Sequence, residues 1–428
     1  MADPGMSVTP YWELTFDADG DVDAPERDQL VAQVTEQGVR DLIVFAHGWN
    51  NDRSGATALY RRFFAPIPGL APKARIGYVG VIWPSMRFSD EPIPDFPKST
   101  ATVAAGALDE DTRRALRAVF PDRAALLDQL AGMLDQQPDG AQGLAQFGRL
   151  VRQLIDGERP AGVADTEEEG EPGVFTEDPA TACQEFAEAL ASVQGPEGSE
   201  GFSIPNPWEG AKELLRQATY YTMKRRAGTV GEQGLGPALG KLAGAAPGVR
   251  VHLAGHSFGG RLVSFALRGL PDGVRTVKSV TLLQGAFSHY AFAEQVPQAP
   301  DKAGALKDQQ RRIDGPLVCC HSHFDQALGT FYPLASRLSG DDRSCVGGEI
   351  AAVLGPEWGA MGHDGVQAVP GTARLDLAAA LNGSLPASGC VNVDAASVVC
   401  RGGPPTGAHS DIVHPELARV ILTAGRIT

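Results

Sequence analysis

The segment Val251-His-Leu-Ala-Gly255-His-Ser257-Phe258-Gly259-Gly-Arg-Leu-Val-Ser-Phe-Ala-Leu267 holds a serine between two glycines at the spacing Gly-x-Ser-x-Gly. With 51 glycines among 428 residues, chance alone supplies about 0.3 such matches, so the flanks carry the weight. An apolar strand pattern runs into the motif and an apolar helix pattern leaves it. A serine on so sharp a strand-to-helix turn sits in strained backbone with its Oγ projecting above the sheet edge. Glycines flank it because side chains there would collide with neighbouring backbone. The helix N-terminus turns free N–H groups, Phe258 first, toward the same spot, which suits an oxyanion. A second donor is expected from Asp41-Leu-Ile-Val-Phe-Ala-His47-Gly48-Trp49, where Gly48 permits a tight turn just past another strand and the Trp49 N–H can face the serine.

Short apolar runs alternate with helical patterns and must position these groups. Leu42–Ala46, Ile76–Trp83, Val251–Ala254, Val277–Leu283, Pro316–Cys320 and Val391–Val399 are strand candidates, and period-two alternation over Tyr11–Phe16 predicts a half-exposed edge strand. Helices are expected near Gly55–Phe64, Gly260–Leu270, Gln326–Leu338 and His414–Ala424. This alternation predicts an α/β fold with a mainly parallel sheet covered on both faces. From Phe88 to Pro207 the rhythm breaks: apolar faces at Leu126/Leu130/Met133/Leu134, Phe147/Leu150/Val151/Leu154 and Phe186/Ala189/Leu190/Val193 read as helices, interrupted by an acidic connector. Residues 88–207 are therefore expected as a helical insertion between core segments 1–87 and 208–428. A smaller insertion, Gly340–Gly371, precedes the last strand.

On these residues the chain resembles the α/β-hydrolase family of serine esterases and lipases, over the core segments and not the helical insertion. The resemblance implies an acid after a later strand and a histidine before the final helix, in the chain order Ser, Asp or Glu, His. Asp325, just past the Pro316–Cys320 run, and His409, in Gly407-Ala-His409-Ser-Asp-Ile-Val-His-Pro, occupy those places. His414 and His363 are rivals for the base; His414 is followed by Pro415 and reads better as a helix start. Among acids, Asp394 lies within a strand and Asp411 is too close to His409. The implied roles are nucleophile for Ser257, base for His409, acid for Asp325 and oxyanion donors for the Trp49 and Phe258 N–H groups. The implied activity is hydrolysis of a small-molecule carboxylic ester through an acyl-enzyme, under a helical cap formed by 88–207. Two alternatives stay open: a catalytically silent scaffold used for binding, and an acyl transferase or lyase on the same triad.

Two other patterns fall short. His321-Ser-His323-Phe-Asp325-Gln326 resembles a zinc-hydrolase run but has Gln326 where its last histidine belongs. Gly236-Pro-Ala-Leu-Gly240-Lys241-Leu242 is one residue short of a phosphate loop and puts leucine where Ser or Thr must meet magnesium. No cofactor or metal is implied. A net charge of −15 disfavours nucleic acid and anionic membrane surfaces as partners. The Met1–Met6 start lacks the basic residues and apolar run of a secretory signal, and no run approaches a membrane span, so a cytoplasmic protein is expected. Oligomeric state has no signature. The six cysteines form no Cys-x-x-Cys pair. Reading Val391–Val399 as one strand puts Cys390 and Cys400 roughly 30 Å apart, beyond the about 7 Å a disulfide spans, so free thiols are expected.

Overall fold

A computed structural model of the chain describes residues 5–155 except 50, 87 and 89–105; 178–194; 205–327 except 298; and 359–428 except 384, 404 and 405. Among the described residues eight strands form one sheet: β1 (Tyr11–Thr15), β2 (Asp41–Ala46), β3 (Ile76–Ile82), β4 (Arg250–His256), β5 (Val277–Leu283), β6 (Pro316–His321), β7 (Ala373–Asp376) and β8 (Gly389–Asp394). Their spatial order is β1-β3-β2-β4-β5-β6-β8-β7, and every pairing is parallel. Parallel neighbours need crossover connections, and here these are largely helical. The principal helices are α1 (Ala24–Glu36), α2 (Arg53–Phe64), α3 (Glu110–Val119), α4 (Ala124–Gln136), α5 (Ala141–Ile155), α6 (Pro179–Gln194), α7 (Pro207–Thr229), α8 (Gly236–Ala245), α9 (Phe258–Gly269) and α10 (Pro415–Gly425). The α/β class is thus as the strand–helix rhythm requires.

The central strands are buried on both faces, which is why they read as continuous apolar runs rather than alternating ones. Their alternating side chains feed two clusters. Leu42, Val44, Val251 and Leu253 point to the face covered by α1, α7, α8 and α9. Ile43, Phe45 and Ala254 point to the face covered by α2 and α10. The chain leaves β2 toward β3 on one side and leaves β4 toward β5 on the other. The direction of winding therefore reverses between β2 and β4, and the crevice beyond their carboxyl ends is where an open α/β sheet binds ligands.

Helices α3 to α6 do not form a separate core. Leu116, Leu130, Phe147 and Phe186 belong to the same cluster as the α9 face of the sheet. The 23-residue α7 joins the two parts: it packs along α6 and α5 on one side and on α9 on the other. Burial of Leu127, Leu130 and Leu134 in α4 and of Phe147, Val151 and Leu154 in α5 follows the helical spacing.

Three expectations need correction. The strand after Cys390 stops at Asp394, where its carboxylate accepts the Ala396 N–H at 2.9 Å and turns the chain; Val398 and Val399 then bond back to the Ala395 carbonyl. Cys390 and Cys400 are nonetheless both free thiols. Strand β1 is an edge strand but is largely buried, since Tyr11, Trp12 and Leu14 join the clusters on either face. A short extra strand, β7, lies between the Gly340–Gly371 segment and β8. The helix expected over Gln326–Leu338 lies outside the described residues beyond 327.

The α6–α7 contact is close enough to test. A Cβ on Gly210 would lie 1.7 Å from the Cys183 carbonyl oxygen, whereas one on Gly132, inside α4, meets nothing within 4 Å. Gly210→Ala should therefore force two helices apart and lower unfolding stability by about 3 kcal/mol. Gly132→Ala should raise it by about 0.5–1 kcal/mol through helix propensity alone. Urea unfolding of the two variants checks both signs.

Candidate active site

Strand β4 ends at His256 and helix α9 begins at Phe258, leaving a single residue, Ser257, to make the turn. It does so at φ 55° and ψ −122°, a region costly for a residue with a Cβ. Neighbouring backbone leaves no room for alternatives. A Cβ on Gly255 would lie 2.3 Å from the Gly259 carbonyl oxygen, and one on Gly259 would lie 2.0 Å from that of Ala46. Ser257 is held on both sides of its peptide, its N–H donating to Leu283 O at 3.0 Å and its carbonyl accepting from Ala286 N at 3.3 Å. Serine is a favoured helix N-cap, yet this one makes no capping bond. Its Oγ instead lies 2.9 Å from His409 Nε2.

His409 stands in the loop between β8 and α10. Its Nδ1 is 2.8 Å from Asp325 Oδ2. Because a carboxylate only accepts, Nδ1 carries the proton and Nε2 is left as the acceptor for the serine hydroxyl. Asp325 is fully buried in the loop after β6. Its N–H donates to Ser322 O at 3.1 Å, and Ser322 is tied by its hydroxyl to Val399 O at 2.6 Å. The loops that carry Asp325 and His409 also bond directly, Ala408 N to Phe324 O at 2.9 Å. The three residues singled out from the sequence thus meet in one hydrogen-bonded chain.

The second loop arrives from β2. A Cβ on Gly48 would come within 2.9 Å of Ser257 Cβ and 3.1 Å of His256 Nδ1, so the His47–Trp49 turn lies directly against Ser257. Behind it, Tyr60 accepts the His47 N–H at 3.1 Å and donates to Val81 O at 2.5 Å. The Trp83 indole donates to His47 O at 3.1 Å, and the His47 ring stacks on it at 5.6 Å. Trp49 and Phe258 are neighbours, with ring centroids 6.3 Å apart. Tyr220 of α7 packs on both, at 5.8 and 4.6 Å. In the backbone bonding among the described residues, neither the Trp49 nor the Phe258 N–H donates to a carbonyl.

The rivals are otherwise engaged. His414 is the N-cap residue of α10, and its Nε2 is 2.8 Å from Asp411 Oδ1. The other oxygen of Asp411 accepts the Cys400 and Arg401 N–H groups. His363 Nδ1 lies 2.8 Å from Asp364 Oδ1 and His289 Nδ1 lies 3.2 Å from Asp364 Oδ2. The bond to Asp364 raises the His363 pKa; burial opposes ionisation of Asp364, but the two histidines hold its carboxyl below the ordinary value. His321 and His323 belong to no group of three or more possible metal ligands among the described residues. A separate cleft of about 690 Å³, bordered by Glu13, Glu26, Arg53 and Thr57 at the β1 edge, contains none of these residues.

Two features lay beyond sequence reasoning. His256 was visible only as the variable position of the motif, although its ring contacts two of the converging loops. Tyr220 had no signal at all, because its contact with Phe258 depends on how α7 packs on α9. Family models, curated proteins and solved structures each yield no match to this chain. Among the described residues no helix is long and apolar enough to cross a membrane.

Burial makes two imidazoles of the site costly to protonate. Desolvation pushes His47 down to about 4, and desolvation together with the nearby His409 pushes His256 down to about 3. In the unfolded chain both return to the ordinary histidine value, so below about 6.5 the unfolded state binds protons that the folded state refuses. Their contribution is full near neutrality and is lost as the pH falls from about 6.5 toward 4, at about 1.4 kcal/mol per pH unit for each group. Denaturant titrations between pH 7 and 4.5 should show this slope; stability that stays level across the range would contradict neutral burial.

Proposed function

We propose that this protein is a serine hydrolase that cleaves carboxylic esters, on a core of the α/β-hydrolase type. The hydrogen-bonded chain Ser257 Oγ, His409 Nε2, His409 Nδ1, Asp325 Oδ2, at 2.9 and 2.8 Å, is the observation that carries the reading. A serine hydroxyl is a weak nucleophile without a base in hydrogen-bond reach. In this reading His409 takes its proton as Oγ attacks the ester carbonyl, forming a C–O bond and a tetrahedral oxyanion. Asp325 holds the imidazole tautomer and stabilises the imidazolium. Collapse breaks the bond to the alcohol, which leaves with the proton from His409. Water, deprotonated by the same imidazole, then releases the acid and regenerates Ser257.

The oxyanion is assigned to the N–H groups of Trp49 and Phe258. Support comes from the approach of Gly48 to Ser257 and from the position of Phe258 at the start of the 12-residue α9, where the helix end favours negative charge. The helices of 88–207 are assigned as a cap that shapes the acyl and alcohol sites. Tyr220 packs on Phe258 and Trp49 from α7, the helix that also packs along α5 and α6, and so supports a coupling between that cap and the oxyanion donors.

A fluorophosphonate probe should label the protein once, on Ser257, and peptide mapping locates the adduct. Hydrolysis of short p-nitrophenyl esters should be abolished by Ser257→Ala with the fold intact. It should fall by about 10⁴ in Asp325→Asn and by at least 10³ in His409→Ala. His414→Ala should leave it unchanged. Full activity in Ser257→Ala would overturn the mechanism, absence of labelling and turnover would favour the silent scaffold, and product carrying an added alcohol in place of water would favour acyl transfer.

A further inference from the structure

We infer that His256 is a positioning residue that registers the base loop to the nucleophile, by donating its Nε2–H to the backbone carbonyl of His409. The inference rests on the hydrolase reading above. His256 Nε2 lies 2.9 Å from His409 O. A carbonyl only accepts, so the ring nitrogen facing it must carry the proton, and the ring is the Nε2–H tautomer with Nδ1 bare. Nδ1 is buried and has no hydrogen-bond partner among the described residues. It faces the oxyanion loop, 3.1 Å from where a Cβ on Gly48 would stand. One ring is therefore wedged between the loop proposed to bind the oxyanion and the loop that carries the base, with ring centroids of His256 and His409 5.1 Å apart.

The covalent arrangement gives this contact its use. His256 is bonded to Ser257, so a clamp on the His409 backbone fixes the distance between base and nucleophile through one peptide unit. His409 then has its ring held by Asp325, the N–H of its chain neighbour Ala408 held by Phe324, and its carbonyl held by His256. Placement of that kind matters because displacement of a reacting group by about 1 Å can cost 10²-fold in rate. The charge state fits as well. Burial, followed by the proximity of His409, depresses His256 to about 3, so the clamp stays neutral and adds no cation beside the imidazolium that forms on His409 during attack. A lysine or arginine donor in this place would carry that charge.

Two variants separate reach from polarity. Glutamine extends an amide N–H about as far as the imidazole Nε2, whereas asparagine falls one bond short. His256→Asn should lower kcat for a p-nitrophenyl ester about 10- to 100-fold with KM within about twofold, and His256→Gln should retain kcat within about fivefold of the parent. Equal loss in both variants, parental kcat in the asparagine variant, or a loss confined to KM would overturn the role. A measurement on the unaltered protein stands apart from folding of the variants and from turnover: long-range ¹H–¹⁵N correlation of ¹⁵N-histidine-labelled protein. His256 should appear as the neutral Nε2–H form at both pH 7 and pH 5.5. An Nδ1–H tautomer, or titration within that range, would overturn the clamp. Retained activity in Ser257→Ala would instead sink the hydrolase reading while leaving the tautomer result in place.

Discussion

Close backbone approach at one turn is the constraint on which the site depends. Between β4 and α9 the chain reverses over a single residue, and three glycines admit this because their missing side chains would collide with carbonyl oxygens of Gly259 and Ala46 or with Ser257 itself. The positive φ of Ser257 follows from that geometry. A residue held there loses the ordinary N-cap use of its hydroxyl, and the Oγ is left to face His409. Backbone strain at a non-glycine residue persists only when its surroundings over-determine it. Here the bonds from Ser257 to Leu283 at the end of β5 and to Ala286 just beyond it do so.

The parallel sheet explains why the other groups arrive at the same place. All eight strands point the same way, so the loops after β2, β4, β6 and β8 emerge along one edge. Trp49, Ser257, Asp325 and His409 come one from each. Reversal of winding between β2 and β4 sends α2 and α9 to opposite faces and opens the crevice between Gly48 and Ser257. The two apolar clusters, one per face, are the energetic counterpart: each central strand contributes alternate side chains to both, which locks register and hence the height of each loop above the sheet.

Much of this was legible in the chain. The β2, β3, β4 and β5 strands appear as apolar runs because both their faces are covered; Ser257 stands out by its Gly-x-Ser-x-Gly turn, and Asp325 and His409 could be chosen because the α/β-hydrolase resemblance implies an acid after a later strand and a histidine before the final helix. The end of β8 was not legible: Val398 and Val399 look like strand residues, but the Asp394 side chain captures the Ala396 N–H and turns the chain first. A local side-chain bond outcompeted β propensity there. The trio His289, Asp364 and His363 was equally hidden, since it forms only when the segment after Gly359 lies across β5 and β6, with Met361 N on Phe287 O and Ser322 N on Gly362 O.

Electrostatics distinguishes the three imidazoles that crowd the serine turn. Among the described residues no carboxylate bonds the His47 or His256 ring: one bonds its Nδ1 to Gly48 O at 2.8 Å, the other its Nε2 to His409 O at 2.9 Å. Each partner is a neutral carbonyl, which fixes a tautomer but offsets little of the cost of ionising a buried ring, and both are driven toward the neutral form. Of the three, among the described residues, His409 alone has a carboxylate on one ring nitrogen, the one opposite the serine. Accepting the serine proton makes a cation, and that cation is tolerable where Asp325 supplies an opposing charge at 2.8 Å and not at the other two rings. In the proposed reaction the base among three neighbouring histidines is thus the one whose far nitrogen meets a negative charge, while the neutral pair bonds to loop carbonyls.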